Sequence, residues 1–265
     1  MVSPLKDAIV VKIGGSTLGS KDTTLEDIIT LQKQGKPVIV IHGGGKIITD
    51  WLTRLGVKTN FVQGERVTDA QSLEVVNAVL SGLVNKDLVA QLNNMGGRAV
   101  GISGADGALV QGDVANPEMG YVGRTVKVDA RLLETLVAVG FIPVISPISL
   151  YSQDRQEESP GLLNNNADTI AGEIAEAIGA KTLVFLTDVA GILDKQGKLI
   201  PELTPKSAEE LIKSGVASGG MIPKIRACAR AVRTTGSASI IDGRKPHALI
   251  QEMLGSYPGT KVVAK

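Results

Sequence analysis

Short apolar runs recur along the chain, with polar, helix-patterned stretches between them. Ile9–Ile13, Val38–Ile41, Ala99–Ile102, Ile142–Ile145, Leu183–Leu186 and Ala238–Ile241 are mostly apolar and bounded by Gly, Pro or polar turn residues. Continuous apolarity, as opposed to alternation, predicts strands covered on both faces, as in a parallel sheet between helical layers. Between these runs the periodicity becomes helical. Ile47, Ile48, Trp51, Leu52 and Leu55 share one face of a predicted helix that Gly56 closes. Thr68-Asp69-Ala70-Gln71 reads as a capping box opening a long helix to about Asn93, with a core face of Leu73, Val76, Leu80, Leu83 and Val84. Val75, Val79 and Val89 give that helix a second apolar side near Gly82, for which a subunit interface is the expected cover. Further helices are expected over Thr169–Ile178, from Thr204-Pro205 to Gly215, and from Pro223 to near Gly236, with proline at the first helical position in the last two. Residues Asp106–Asp129 break this rhythm, and alternation in Ala108–Gln111 and Tyr121–Val128 predicts antiparallel ribbon. The whole reads as an α/β protein, a three-layer αβα sandwich with a mainly parallel central sheet, and a lobe boundary is expected near residue 180.

Composition narrows the function classes. With 28 basic and 27 acidic residues the formal net charge is +1, so no basic excess marks a nucleic-acid surface. Aromatics are only 3% of 265 residues, which leaves little for stacking on bases. No apolar run reaches the roughly 18–20 residues that span a bilayer, and Lys12 interrupts the first apolar stretch, so neither a membrane span nor a signal peptide is expected. A single cysteine, Cys228, rules out an internal disulfide and agrees with a reducing, cytoplasmic setting; its mid-helix position makes it core filler.

Glycine clusters follow the first two strands: Gly14-Gly15-Ser16, and Gly43-Gly44-Gly45 after His42. Glycines at the carboxyl end of parallel strands let backbone N–H groups approach an anion, and a helix N-terminus adds partial positive charge. Walker-type P-loop, dinucleotide-binding and nucleophile-elbow fingerprints are missing, and so is a His/Cys metal cluster, so no metal ligands are assigned. His42 is expected to be a packed or turn residue. Lys12 interrupts an otherwise buried strand, which is costly unless it reaches a cleft or pairs with an anion. Lys224 falls in the first turn of a predicted helix, where a cation opposes the dipole unless an anion comes to it. Three consecutive asparagines, Asn164–Asn166, exceed what capping needs and precede Asp168, which either benefits from the helix dipole or holds a lysine. Arg66 can grip a carboxylate with two parallel N–H donors.

In this order, Lys12–Gly15, Ile41–Gly45, Gly64–Asp69, Asn164–Asp168, Leu186–Leu193, Gly219–Lys224 and Ile241–Leu249 resemble the motifs of the amino acid kinase family across nearly the whole chain. Within that family they are most similar to members whose acceptor is N-acetyl-L-glutamate. The resemblance implies an N-terminal lobe, residues 1–180, for the amino-acid substrate and dimerisation, and a C-terminal lobe, residues 181–265, for the nucleotide. It makes the antiparallel insertion a lid hairpin and the long helix a homodimer interface. Lys12 and Lys224 would stabilise the moving phosphoryl group while Asp168 orients them. Gly44, Gly45, Arg66 and Asn164 would hold the acceptor. Gly14, Gly15, Asp188, Val189, Gly191, Ile192, Leu193, Val216, Ala217 and Ser218 would surround ATP, with Mg2+ bound through the ATP phosphates. Two positions depart from the family: Glu65 stands where leucine is common, and Ser16 where asparagine is frequent.

The reaction so implied is in-line transfer of the γ-phosphoryl group of ATP to the γ-carboxylate, giving N-acetyl-L-glutamyl 5-phosphate in an early step of arginine biosynthesis. A carboxylate is already ionised at neutral pH, so no general base is required. Three alternatives stay open: a related acid kinase acting on carrier-bound aminoadipate, a non-catalytic amino-acid sensor on the same fold, and, least favoured, a dinucleotide-dependent oxidoreductase. Arginine-inhibited members usually carry an additional N-terminal helix. With the first predicted strand starting at Ile9, a dimer without strong arginine feedback is expected.

Overall fold

A computed structural model describes residues 5–14, 23–62, 65–152, 159–256 and 259–264. In chain order the first half forms β1 (Ile9–Ile13), α1 (Thr24–Lys33), β2 (Val38–His42), α2 (Gly45–Arg54), β3 (Phe61–Val62), β4 (Glu65–Arg66), α3 (Ala70–Asn77), a π-helical segment (Ala78–Val84), α4 (Asn85–Asn94) and β5 (Ala99–Ser103). The insertion follows as β6 (Val110–Val114) and β7 (Gly123–Val128), then α5 (Arg131–Ala138), β8 (Ile142–Ser146), β9 (Ile148–Tyr151) and β10 (Leu162–Asn164). The chain continues through α6 (Ala167–Ile178), β11 (Thr182–Thr187), β12 (Glu202–Leu203), α7 (Pro205–Lys213), α8 (Met221–Ala231), β13 (Ser237–Asp242), α9 (Ala248–Met253) and β14 (Thr260–Val262).

Eight strands make the central sheet in the order β12-β14-β13-β11-β1-β2-β8-β5. All its pairings are parallel except β13 with β14. The period-2 geometry of β1 sends Val10 to one layer, with Ile170, Ile174 and Ile225 of α6 and α8, and Val11 to the other, with Ile28, Leu52 and Val76 of α1, α2 and α3. That is the expected three-layer sandwich. The sheet runs unbroken through the expected lobe boundary, because β1 pairs with β11 on one side and β2 on the other.

The predicted strands all form, but Ala99–Ser103 is only partly covered along its middle because β5 is the sheet edge. The insertion is larger than a hairpin: β6 and β7 pair antiparallel, and β9 and β10 extend them to a four-stranded sheet. The long helix is capped by Asp69, not Thr68: the Asp69 carboxylate accepts from Ser72 N at 2.8 Å, while Thr68 is buried. Its midpoint widens into the π-helical segment, which rotates the faces relative to a 3.6-residue repeat. Val79 is consequently 3% exposed where an outer position was expected, and Leu83 is 47% exposed where a core position was expected. Trp51 and Leu55 also lie outside the core and share with Val75 and Leu83 an apolar groove on the surface.

The helix carrying Lys224 begins at Met221, two residues before Pro223, and ends at Ala231, with turns rather than helix beyond it. The helix after the asparagines starts at Ala167. α1, α5 and α9, which the apolar pattern did not single out, complete the layers.

Candidate active site

β1, β2, α2, α6 and α8 bring the site together at the carboxyl edge of the sheet. Lys12, one residue before the end of β1, is 6% exposed and reaches Asp168 on α6, with Nζ 2.6 Å from Oδ1. Lys224 on α8 donates to the other oxygen, Nζ to Oδ2 at 2.9 Å, and also to Gly220 O at 3.1 Å. Two cations from opposite ends of the chain thus share one carboxylate. Burial lowers the Lys12 pKa, with Lys224 adding to that effect and Asp168 opposing it. Burial acts to raise the Asp168 pKa, but Lys12 and Lys224 together hold it below the usual carboxylate range. The cluster carries one net positive charge in a poorly solvated place, a setting that favours an incoming anion.

Local sequence explains this convergence. Asn166 caps α6 by accepting from Asp168 N at 2.9 Å and Thr169 N at 3.3 Å, which fixes the first turn where Asp168 sits. Four residues on, Gly172 lies on the same stripe of α6 and meets α8 at Ala227. A Cβ on Gly172 would stand 2.9 Å from the Ala227 Cβ and 3.0 Å from its Cα, so only glycine admits this approach. Lys224 lies one turn before Ala227 on α8.

Lys12 and Asp168 line a cavity of about 230 Å³ together with Gly43, Gly44, Gly45, Arg66 and Asn164. Gly44 is the N-cap of α2, whose first N–H groups have no partner within the helix. A Cβ at Gly44 would approach Leu80 of the π-helical segment to 2.7 Å. In the same cavity, the Arg66 guanidinium lies over the Phe61 ring at 4.6 Å. Its Nη2 donates to Thr49 Oγ1 at 2.7 Å and Gly45 O at 3.2 Å. Nη1 is buried with no hydrogen-bond partner among the described residues, a cost that an anionic ligand would remove. Burial lowers the Arg66 pKa, yet a guanidinium stays charged in proteins. Thr68 Oγ1 donates to Arg66 O and accepts from Asn164 Nδ2, both at 3.0 Å, joining β4 to β10.

The three asparagines serve different ends. Asn164 ties the two strands, Asn166 caps, and Asn165 donates to Ser149 Oγ at 2.7 Å. His42 is packed, as expected. Its Nδ1–H donates to Gly43 O at 2.9 Å, Nε2 accepts from Asn85 Nδ2 at 3.1 Å, and burial holds its pKa down to about 4. Burial therefore favours the neutral ring at pH 7, with both nitrogens engaged by Gly43 and Asn85. Cys228 is fully buried and burial raises its thiol pKa, consistent with core filler.

Gly14 does not offer a free N–H: it donates to Leu186 O at 3.1 Å and so continues the sheet into the turn. Gly15 lies outside the described residues. On the other side of β11, Asp188, Val189, Leu193 and Ser218 are exposed, whereas Ile192 and Ala217 are buried in the core. Thr260 Oγ1 accepts from Ile192 N at 2.8 Å and fixes the loop that presents Val189 and Leu193. Phe61, Val122 and Pro147 also line this cavity, and the apolar pattern did not mark them. Val122 lies in the predicted ribbon, and Phe61 follows from the hairpin register that sets it opposite Arg66.

The sequence pattern of the amino acid kinase family matches residues 7–242. Acetylglutamate kinase of Dehalococcoides mccartyi strain BAV1 is 48% identical over 257 residues, covering 97% of this chain and 94% of the relative. Acetylglutamate kinase of Nostoc sp. strain PCC 7120 is 46% identical over 253 residues, covering 92% of this chain and 83% of the relative. Among solved structures, smu.665 from Streptococcus mutans UA159 superimposes with a TM-score of 0.84 at 28% identity, covering 98% of this chain and all of the other.

Proposed function

Because the chain belongs to the amino acid kinase family, we propose that it transfers the γ-phosphoryl group of ATP to the γ-carboxylate of N-acetyl-L-glutamate, as its acetylglutamate kinase relatives are named for. The products are N-acetyl-L-glutamyl 5-phosphate and ADP, an early step of arginine biosynthesis. The observation that carries this reading is the carboxylate of Asp168, shared by Lys12 and Lys224, in the wall of a cavity that also holds Arg66, whose Nη1 is buried with no partner among the described residues.

The α-carboxylate of the acceptor satisfies Arg66, with Asn164 beside it, and the γ-carboxylate extends toward Gly44, Gly45 and Lys12. A carboxylate oxygen forms the new bond to the γ-phosphorus as the bond from that phosphorus to the β–γ bridging oxygen breaks, leaving ADP. No proton moves. The obstacle is repulsion between two anions. Lys12, Lys224 and the α2 N-terminus offset it and hold the charge that spreads over the equatorial oxygens. Asp168 is the positioning residue for both lysines.

ATP lies against Asp188, Val189, Gly191, Ile192, Leu193, Val216, Ala217 and Ser218, with Gly14 at the strand end below it. Exposed Val189 and Leu193 supply apolar cover for the base. Mg2+ would arrive bound to the ATP phosphates and would neutralise part of their charge. Residues 1–180 serve the acceptor and 181–265 the nucleotide, and the continuous sheet gives both a common floor. The apolar groove of Trp51, Leu55, Val75 and Leu83 supports a homodimer across the α3–α4 region. The single cysteine supports a cytoplasmic location; no helix among the described residues is long and apolar enough to cross a membrane.

Hydroxylamine trapping of the acyl phosphate tests this reading. Hydroxamate should form with ATP and N-acetyl-L-glutamate, and far less with free glutamate or N-acetyl-aminoadipate. Hydroxamate formation with aminoadipate on a carrier protein but not with N-acetyl-L-glutamate would overturn it.

A further inference from the structure

Glu65 takes no part in phosphoryl transfer, yet it lines the same cavity as Lys12, Arg66 and Asn164. It directly precedes Arg66 on β4, is half-buried, and its Oε1 accepts a 3.4 Å hydrogen bond from Asn166 Nδ2. That long, weak contact places the carboxylate near the α6 cap and leaves it most of its accepting capacity. A carboxylate accepts hydrogen bonds and donates none. N-acetyl-L-glutamate brings two carboxylates of its own, so a third in the wall repels it unless it meets a donor. With both carboxyl groups ionised, the ligand's sole donor is its amide N–H. The α-nitrogen is attached to the carbon that also bears the α-carboxylate. A ligand whose α-carboxylate satisfies the Arg66 Nη1 therefore keeps its N–H within the same small cavity, whose wall includes Glu65.

Resting on the acceptor assigned above, we propose that Glu65 is a specificity-determining residue. It accepts a hydrogen bond from the α-nitrogen of the acceptor and so selects acids acylated on nitrogen over those acylated on oxygen. The test compares N-acetyl-L-glutamate with (S)-2-acetoxyglutarate, the same skeleton with the N–H replaced by an ester oxygen. ADP release by the full chain is followed for wild type, Glu65→Leu and Glu65→Gln. Wild type should favour the amide by about ten- to a hundredfold in kcat/KM, the range for a hydrogen bond to a charged group. Glu65→Leu should lose most of that preference. Glu65→Gln, which keeps an accepting oxygen, should retain much of it. The KM for ATP and the melting temperature of each variant report on folding and should match wild type. An amide preference in Glu65→Leu equal to that of wild type, or no preference in wild type, overturns the assignment and leaves the kinase reading standing. A wild type that turns over neither acceptor ends both.

Discussion

Lys12 and Arg66 are both buried cations at the rim of a sheet, but their partners give them different roles. Lys12 faces a carboxylate it shares with Lys224, whereas the Arg66 Nη1 has no partner among the described residues. Arg66→Ala should therefore raise the KM for N-acetyl-L-glutamate by about ten- to a hundredfold, the range for losing a charge-assisted bond, with kcat changed far less. Steady-state kinetics in the acceptor checks this, and an unchanged KM would refute the carboxylate assignment. His42 offers a stability test. Its pKa falls from 6.5 to about 4 on folding, so below pH 6.5 the unfolded chain binds the proton more readily. The neutral ring's contribution is complete above that range and is lost as the pH drops toward 4, to the extent of roughly 3 kcal/mol. Denaturant melts at pH 7 and pH 4.5 should show a smaller acid loss for His42→Gln than for wild type. Residues of this kind were legible in the sequence because a lysine inside an apolar strand and a triplet of asparagines are costly without partners. Glu65 stood out only as a departure from a family pattern. Its environment depends on a fold-back between β4 and the α6 cap that no local pattern records.

Among the elements, the approach of α6 to α8 decides whether the site exists. Gly172 sets it, since an added Cβ would meet the Ala227 side chain and backbone. Gly172→Ala should cost about 1–3 kcal/mol as an overpacked contact and lower kcat as Asp168 moves away from Lys224. A melt combined with initial rates would show both effects, and a variant with unchanged stability and rate would contradict the packing argument. The sequence revealed that these helices exist but not where they start. Proline suits the first helical position, which points to Pro223, but Gly220 is the N-cap and the helix opens at Met221. Pro223 still lies within the first turn, where its missing N–H costs no helical bond. The π-helical segment misled the face assignment of α3 and α4 for a related reason: a 3.6-residue repeat cannot anticipate a wider turn, so Val79 and Leu83 exchanged places.

Across the whole molecule, the three layers were legible because strands covered on both faces read as unbroken apolar runs. The four-stranded insertion was less so, because β9 and β10 are short and gain their pairing from residues distant in sequence. The surface groove of Trp51, Leu55, Val75 and Leu83 carries the expectation of a homodimer. Leu83→Lys, which sets a charge on that face, should shift sedimentation from dimer to monomer without loss of fold; a wild-type monomer would refute the interface. At this scale the account depends on one long-range fact: a strand near one end of the chain and a helix near the other deliver two cations to the same anion. The single-turnover rate of phosphoryl transfer, at saturating ATP and N-acetyl-L-glutamate, tests it most directly. Lys12→Ala and Lys224→Ala should each slow transfer by about 10²–10³-fold, and the double variant by less than the product of the two, since both act on one group. Transfer at the wild-type rate in either single variant would contradict it.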